Sequence, residues 1–355
     1  MTLHHDLAAG IAALLANAGI DAKPGPITPC TKGANNRTYR IDTATGSFVV
    51  KQYFRHDDDA RDRMAAEYAF LAYAQTAAPG LCPRPYACDT ERSMALYEFM
   101  AGRAFRSGEV GAHEVQMAIR FFCALNAKAA SATAELPAAA ESCFSITEHI
   151  ALVDARVSSL LDAVHSDAAD DEAREFMQRL SVNWRNISEQ ALIDVARAKI
   201  DPTLVLTAEQ RCITPSDFGF HNALRSADGT IQFLDFEYAG WDDPAKTTGD
   251  FFQQISVPVP PEHFEMFAAG IARCFPDPDA TRARIHVLRP IYAIKWCCIV
   301  LNVFLPVHLA RRRFADPGID APALKRSQLA KAENMLKSLN LATTKKEPVA
   351  WLTSI

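Results

Sequence analysis

The stretch Pro215-Ser-Asp-Phe-Gly-Phe-His-Asn222, followed by Ile231-Gln-Phe-Leu-Asp-Phe-Glu237, decides how this chain is read. It sets an Asp at 217, an Asn five positions on, and a second Asp thirteen beyond that, where an apolar strand ends. Carboxylate and amide oxygens in this order suit a hard cation that keeps several waters, so no His or Cys cluster is required. Taken alone, the same residues would serve as turn caps, because Asp and Asn are common in loops. The rest of the chain has to decide between the two.

The polar turn Ala227-Asp-Gly-Thr230 separates the two segments and reads as a hairpin. Toward the N-terminus, residues 38–42 and 47–54 are rich in β-branched and aromatic side chains and flank Thr43-Ala-Thr-Gly46, a second hairpin. Lys51 closes the alternating run Gly46-Ser-Phe-Val-Val-Lys. A helix is expected over about 57–77, where three leading Asp suit the positive end of the helix dipole. Glu67 lies inside it, sixteen residues after Lys51. Short strands at 86–88 and 94–99 complete a small sheet, and apolar residues at helical spacing over 7–15 open the chain before Pro24-Gly-Pro26. From about residue 113 the pattern changes to long helices, at 113–132, 146–164, 169–195, 262–273, 280–304 and 322–339. The fold class is therefore α+β in two lobes. A small N-terminal antiparallel sheet lobe with one main helix occupies 1–100, a larger helical lobe 101–340, and a tail 341–355.

These segments together resemble the aminoglycoside phosphotransferase and choline kinase family, which shares the protein-kinase-like fold and phosphorylates hydroxyls of small molecules. The resemblance implies ATP and Mg2+ as cofactors and a sugar, sugar acid, amino alcohol or aminoglycoside-like acceptor. It makes Asp217 the catalytic base, Asn222 a magnesium ligand and Asp235 the principal magnesium ligand, with Glu237 set toward a second ion or its water. Lys51 would hold the α- and β-phosphates and Glu67 would fix Lys51. The loop Thr31-Lys-Gly-Ala-Asn-Asn-Arg-Thr-Tyr39 would lay Gly33, Asn35 and Asn36 over the phosphates, Gly33 permitting close approach. Leu96-Tyr-Glu-Phe-Met-Ala-Gly102 is similar to the segment joining the lobes, where the backbone from Glu98 to Met100 would meet adenine. Phosphoryl transfer asks a protein mainly to position reactants and neutralise charge, so this set is sufficient machinery.

One departure stands out. The family carries His-Gly before the base, whereas this chain has Pro215-Ser216, so loop support must come from elsewhere, with His221 a candidate polar partner. An inactive nucleotide-binding scaffold stays open as an alternative. A protein-modifying enzyme also stays open, although the short segment between Asp235 and Asp243 disfavours it. Asp243 and Asp250 follow the family's bracing pattern and are read as structural. On the helix after them, Tyr292, Lys295 and Trp296 share a face that would form an acceptor pocket suited to an acid, or else ordinary core with a snorkelling lysine. Arg311-Arg-Arg313 reads as a solvated helix end, or else an interaction patch.

Composition limits the remaining classes. The 355 residues are 49% hydrophobic and 22% charged with a net charge of -5, a globular profile that argues against bulk binding to nucleic acid or an anionic membrane. Nine cysteines without a CxxC pair read as reduced, buried thiols. The first residues lack a cationic n-region, and the apolar run 296–307 is too short to span a bilayer, so a cytoplasmic enzyme is expected.

Overall fold

The computed structural model describes residues 2–21, 23–30, 35–55, 61–127, 129, 136–165 and 171–344. Its first hundred residues hold β1 (Ile27–Pro29), β2 (Arg37–Thr43), β3 (Gly46–Gln52), β4 (Pro85–Asp89) and β5 (Met94–Glu98). They form one antiparallel sheet in the order β1-β2-β3-β5-β4. The period of two along β3 sorts its side chains. Phe48 and Val50 join Ile41 and Leu96 beneath helix α1 (Thr2–Asn17), whose Ile11, Leu14 and Leu15 complete a small separate core. Lys51 therefore points to the opposite face, toward α2 (Arg63–Ala77). The helix begins later than its sequence suggests: Asp62 is the N-cap and accepts from the Ala65 amide at 2.9 Å, while the three Asp at 57–59 lie outside the described residues.

The larger lobe begins with the short strand β6 (Arg103–Ala104) and continues through α3 (Ala112–Ala127), α4 (Ile146–His165) and α5 (Asp171–Arg197). The expected hairpin follows as β8 (Ala223–Arg225) and β9 (Ile231–Phe233), turning at Gly229 with φ 88°, and β6 pairs with β8. On either side, β7 (Cys212–Thr214) pairs with β10 (Gly240–Asp242). The chain then runs through α6 (Pro244–Gln253), α7 (Phe264–Ala272), α8 (Pro278–Val300), α9 (Pro306–Ala315) and α10 (Ala321–Thr344). Helix α6 lies so close on α8 that a Cβ at Gly249 would stand 2.6 Å from the Tyr292 ring, which only glycine avoids.

A phenylalanine core sits directly under the polar loop. Phe218, Phe220, Phe233 and Phe236 are each at most 2% exposed and meet Phe121, Phe251 and Phe267, with Phe121 stacked on Phe233 at 4.7 Å. Each buried Phe contributes about 1.5–3 kcal/mol of burial free energy. Because these anchors alternate with Asp217, His221, Asn222, Asp235 and Glu237, the polar residues are held at the core's upper surface. The segment Pro278–Phe304 is long and apolar enough to cross a membrane, yet 72% of its most apolar window is buried as the central helix of this lobe. The nine cysteines carry free thiols.

Candidate active site

Lys51, on β3, reaches across the cleft. Its Nζ lies 2.7 Å from Glu67 Oε2 and 2.5 Å from Asp235 Oδ1, and the side chain is 10% exposed. Burial works against its charge, but Asp235, Glu67 and Glu237 outweigh it and hold the ammonium well above its ordinary pKa. Glu67 is placed by packing: Phe70, three residues on along α2, stacks on Phe236 at 4.6 Å. Its Oε2 also accepts from the Tyr53 hydroxyl at 2.7 Å, and its Oε1 accepts from the Phe236 amide at 3.1 Å. One carboxylate thus ties the sheet lysine to the segment bearing Asp235.

Asp235 itself has φ 64°, a left-handed backbone that turns its carboxylate away from the strand and into the cleft, with 41% of the side chain exposed. Desolvation raises its pKa to about 6; Lys51 opposes the shift, and Glu237 and Glu67 reinforce it. Nearby, Asn222 Nδ2 donates to the Asp217 carbonyl at 3.1 Å and to Asp217 Oδ2 at 3.2 Å, and the Asn222 carbonyl accepts from the Leu234 amide at 2.8 Å. Asp217, Asn222 and the Asp235 segment therefore form one bonded unit. Asp217 also meets His221 Nε2 at 3.1 Å. Burial alone would raise the Asp217 pKa, but His221 and Asn222 bring it below the ordinary carboxylate value. The imidazole of His221 is raised in return, against its own desolvation, by Asp217 and Asp235.

The remaining sequence-selected residues divide. Glu237, expected near a second ion or its water, is fully buried and accepts from Asn35 Nδ2 at 3.0 Å and Asn36 Nδ2 at 2.7 Å, with Arg63 Nε 3.9 Å away. Gly33 lies outside the described residues. Glu98 is exposed at the end of β5, its backbone amide already bonded to the Arg84 carbonyl at 2.9 Å, and Met100 is 8% exposed in the strand-to-lobe connection. The suggested acceptor face on α8 is not open to the cleft. Tyr292 is 1% exposed and bonded to His149, Lys295 Nζ sits 3.0 Å from both oxygens of Asp250, and Trp296 Nε1 donates to Asp250 at 2.8 Å. Sequence reading missed Arg61, which donates to the carbonyls of Glu237, Ala239 and Ala138 at 3.1, 2.8 and 2.9 Å and so clamps the start of α2 to the larger lobe.

The model of the phosphotransferase enzyme family matches residues 26–283. The chain belongs to that family. It is a phosphotransferase by family, with the two-lobed kinase-like fold. Among solved structures it is similar to a choline/ethanolamine kinase family protein from Mesorhizobium loti, at 18% identity over 93% of this chain and 96% of that one, TM-score 0.56. A spectinomycin phosphotransferase solved with ADP and spectinomycin gives 14% identity over 92% and 97%, TM-score 0.57. The choline kinase of Streptococcus pneumoniae gives 16% over 95% and 100%, TM-score 0.57. No curated protein matches the chain in sequence.

This phosphotransferase shows how a loop lacking the family's His-Gly is supported. Ser216 has φ 66°, the left-handed region that glycine adopts without cost. Its amide donates to Thr214 Oγ1 at 3.1 Å, and its hydroxyl lies 3.4 Å from Lys246 Nζ. Lys246, 1% exposed on α6, is fixed by Asp242 at 2.5 Å and Asp250 at 3.5 Å, and these carboxylates keep it charged despite its burial. A buried lysine thus braces the loop from below. Ser216→Gly is expected to hold stability within about 1 kcal/mol, because lost contacts offset relieved strain, whereas Ser216→Val should cost about 1–3 kcal/mol through its β-branch at positive φ. Urea denaturation of the two variants checks this; equal losses would contradict the left-handed requirement.

Proposed function

We propose that the protein transfers the γ-phosphate of ATP to a hydroxyl group of a small molecule, with Asp217 as the base and Asn222 and Asp235 as the magnesium ligands. The observation that carries this reading is the Lys51–Glu67–Asp235 bridge, which joins a lysine on the sheet to the carboxylate beside Asp217 and Asn222. The residues present fit a divalent cation. Asp235 presents a partly exposed carboxylate to the cleft, and Asn222 uses its Nδ2 on Asp217, which leaves its Oδ1 as the oxygen to offer. Such a pair of oxygens matches Mg2+, which takes one or two protein oxygens and shares phosphate oxygens and water for the rest. When bound, Mg2+ supplies charge neutralisation at the phosphates.

The chain's own residues do the rest. Lys51 holds phosphate oxygens, and the backbone near Met100 receives the adenine. Asn35 and Asn36, steadied on Glu237, order the strand that follows the phosphate loop. Asp217 orients the acceptor hydroxyl and takes its proton as the phosphoryl bond forms. A carboxylate of low pKa suits a loose transition state, in which the proton leaves late and orientation matters more than basicity.

Binding is testable without an acceptor. ATP with Mg2+ at about a hundred times its Kd should stabilise the fold by about 2.7 kcal/mol, seen as a raised Tm. Lys51→Met should remove most of that rise. No Mg-dependent rise in the wild-type protein would overturn the nucleotide reading.

A further inference from the structure

Each oxygen of the Asp217 carboxylate is held by a different donor. Oδ1 accepts from His221 Nε2 at 3.1 Å, and Oδ2 accepts from Asn222 Nδ2 at 3.2 Å. An ionised carboxylate offers about four lone-pair sites, so two remain for an incoming hydroxyl, and the side chain is 33% exposed. The two donors do different work. Asn222 Nδ2 also takes the Asp217 carbonyl at 3.1 Å and so ties the main chain, whereas His221 bonds the carboxylate alone. The terminal torsion of an Asp is broad and two-fold, so one donor on one oxygen leaves the carboxylate plane free to turn. A second donor on the other oxygen stops it.

His221 shows no other polar task among the described residues. Its Nδ1 is buried without a hydrogen-bond partner, an arrangement that costs free energy and that only the bond to Asp217 offsets. The backbone beneath the ring is fixed from both sides. Phe220, 0% exposed, packs on Phe105 at 5.2 Å and Phe251 at 5.8 Å, and the Asn222 carbonyl accepts from the Leu234 amide at 2.8 Å.

Gly219 supplies the space for the imidazole. Its φ of 170° is extended backbone open to any residue, so the conformation does not call for glycine. The ring does: a Cβ at this position would stand 2.8 Å from His221 Nδ1 and 3.0 Å from its Cε1.

We infer that His221 is the positioning residue of the base, its Nε2–H fixing the plane of the Asp217 carboxylate toward the acceptor hydroxyl, and that Gly219 is the gap that admits it. This rests on the phosphotransferase reading above and deepens it.

The test exploits side-chain reach. Gln carries its amide nitrogen as far from Cβ as Nε2 stands, whereas Asn carries it only as far as Nδ1. Turnover is read as Mg·ATP hydrolysis, with water as the acceptor, and with any hydroxylated compound the protein phosphorylates. His221→Asn should lower kcat about 10- to 100-fold, the scale of a misplaced catalytic group, and leave Mg·ATP affinity unchanged. His221→Gln should recover most of the loss. Gly219→Ala removes no functional group, yet it should cost kcat like His221→Asn by pushing the ring off Asp217. The double variant should be no worse than either single one, since both act through the same bond.

Wild-type kcat in His221→Asn overturns the inference, as do equal losses in the Gln and Asn variants or additive losses in the double variant. A loss confined to Mg·ATP affinity overturns it too, by giving the imidazole to the nucleotide. Crystal structures of the wild type, His221→Asn and Gly219→Ala decide independently of turnover: a carboxylate turned from its wild-type plane in both variants supports the inference, and an unmoved one overturns it. Failure of the wild type to bind Mg·ATP would instead strike the underlying phosphotransferase reading.

Discussion

Replacing Asp217 by Asn is expected to lower kcat about 10²- to 10⁴-fold while leaving Mg·ATP affinity nearly unchanged. Asn keeps the shape that His221 and Asn222 pack around, at 3.1 and 3.2 Å, but cannot accept the acceptor's proton. Asp235→Asn should behave differently. Lys51 loses one of its two charged partners and the proposed magnesium ligand weakens, so affinity for Mg·ATP falls together with kcat. Calorimetric titration of ATP with both variants, beside single-turnover kinetics, separates the roles. If Asp217→Asn also lost ATP, the two carboxylates would not have the separate tasks assigned to them.

The second large effect is on stability. Asp243 is 0% exposed, caps α6 through the Ala245 amide at 2.7 Å, and bonds Arg284 Nε at 2.6 Å and His149 Nε2 at 3.0 Å. Tyr292 lies 2.6 Å from His149 Nδ1, so a neutral imidazole that accepts from Tyr292 and donates to Asp243 satisfies every member. Asp243→Ala leaves Arg284 and His149 buried without their acceptor and should cost about 3–5 kcal/mol. That is a large share of the roughly 5–15 kcal/mol that holds a domain folded.

The same cluster sets an acid limit, and the sign follows from each shift. His149 is depressed below its ordinary 6.5 by burial, so the unfolded chain takes up the proton first and stability falls as the pH drops below about that value. Asp243 is held down at about 2, against desolvation, chiefly by Arg284, so its contribution is complete above its ordinary 3.8 and disappears as the pH falls toward 2. Urea midpoints measured from pH 7 to pH 3 should therefore decline for the wild type from about pH 6.5 downward. A flat profile would contradict a neutral buried His149.

What the sequence made legible was local or lay on rigid elements. Asp217, Asn222 and Asp235 fall within one loop and hairpin whose phenylalanines announce the core beneath them. Lys51 and Glu67 were readable because strand and helix periodicity fix which way each points. Long-range pairing was not readable. Nothing near Lys295 in sequence shows that Asp250, forty-five residues earlier, takes its charge. Nor does the context of Glu237 show that Asn35 and Asn36 reach it. Lys246 as the loop's brace was hidden for the same reason: its partner Ser216 is thirty residues away. Helix α9 escaped notice because Pro306 begins it directly after an apolar run and its three arginines look solvated, although the fold turns Arg311 inward.

The central claim is that Asp217 presents a small-molecule hydroxyl to the γ-phosphate of ATP beside Asn222 and Asp235. It is tested most directly by 31P NMR of ATP and Mg2+ incubated with the protein and a pool of hydroxylated small molecules, run in parallel with Asp217→Asn. The account predicts that the γ-phosphate resonance declines as a phosphate monoester resonance grows, in the wild type and not in the variant. A wild-type protein that binds Mg·ATP yet gives the same spectrum as Asp217→Asn would contradict it.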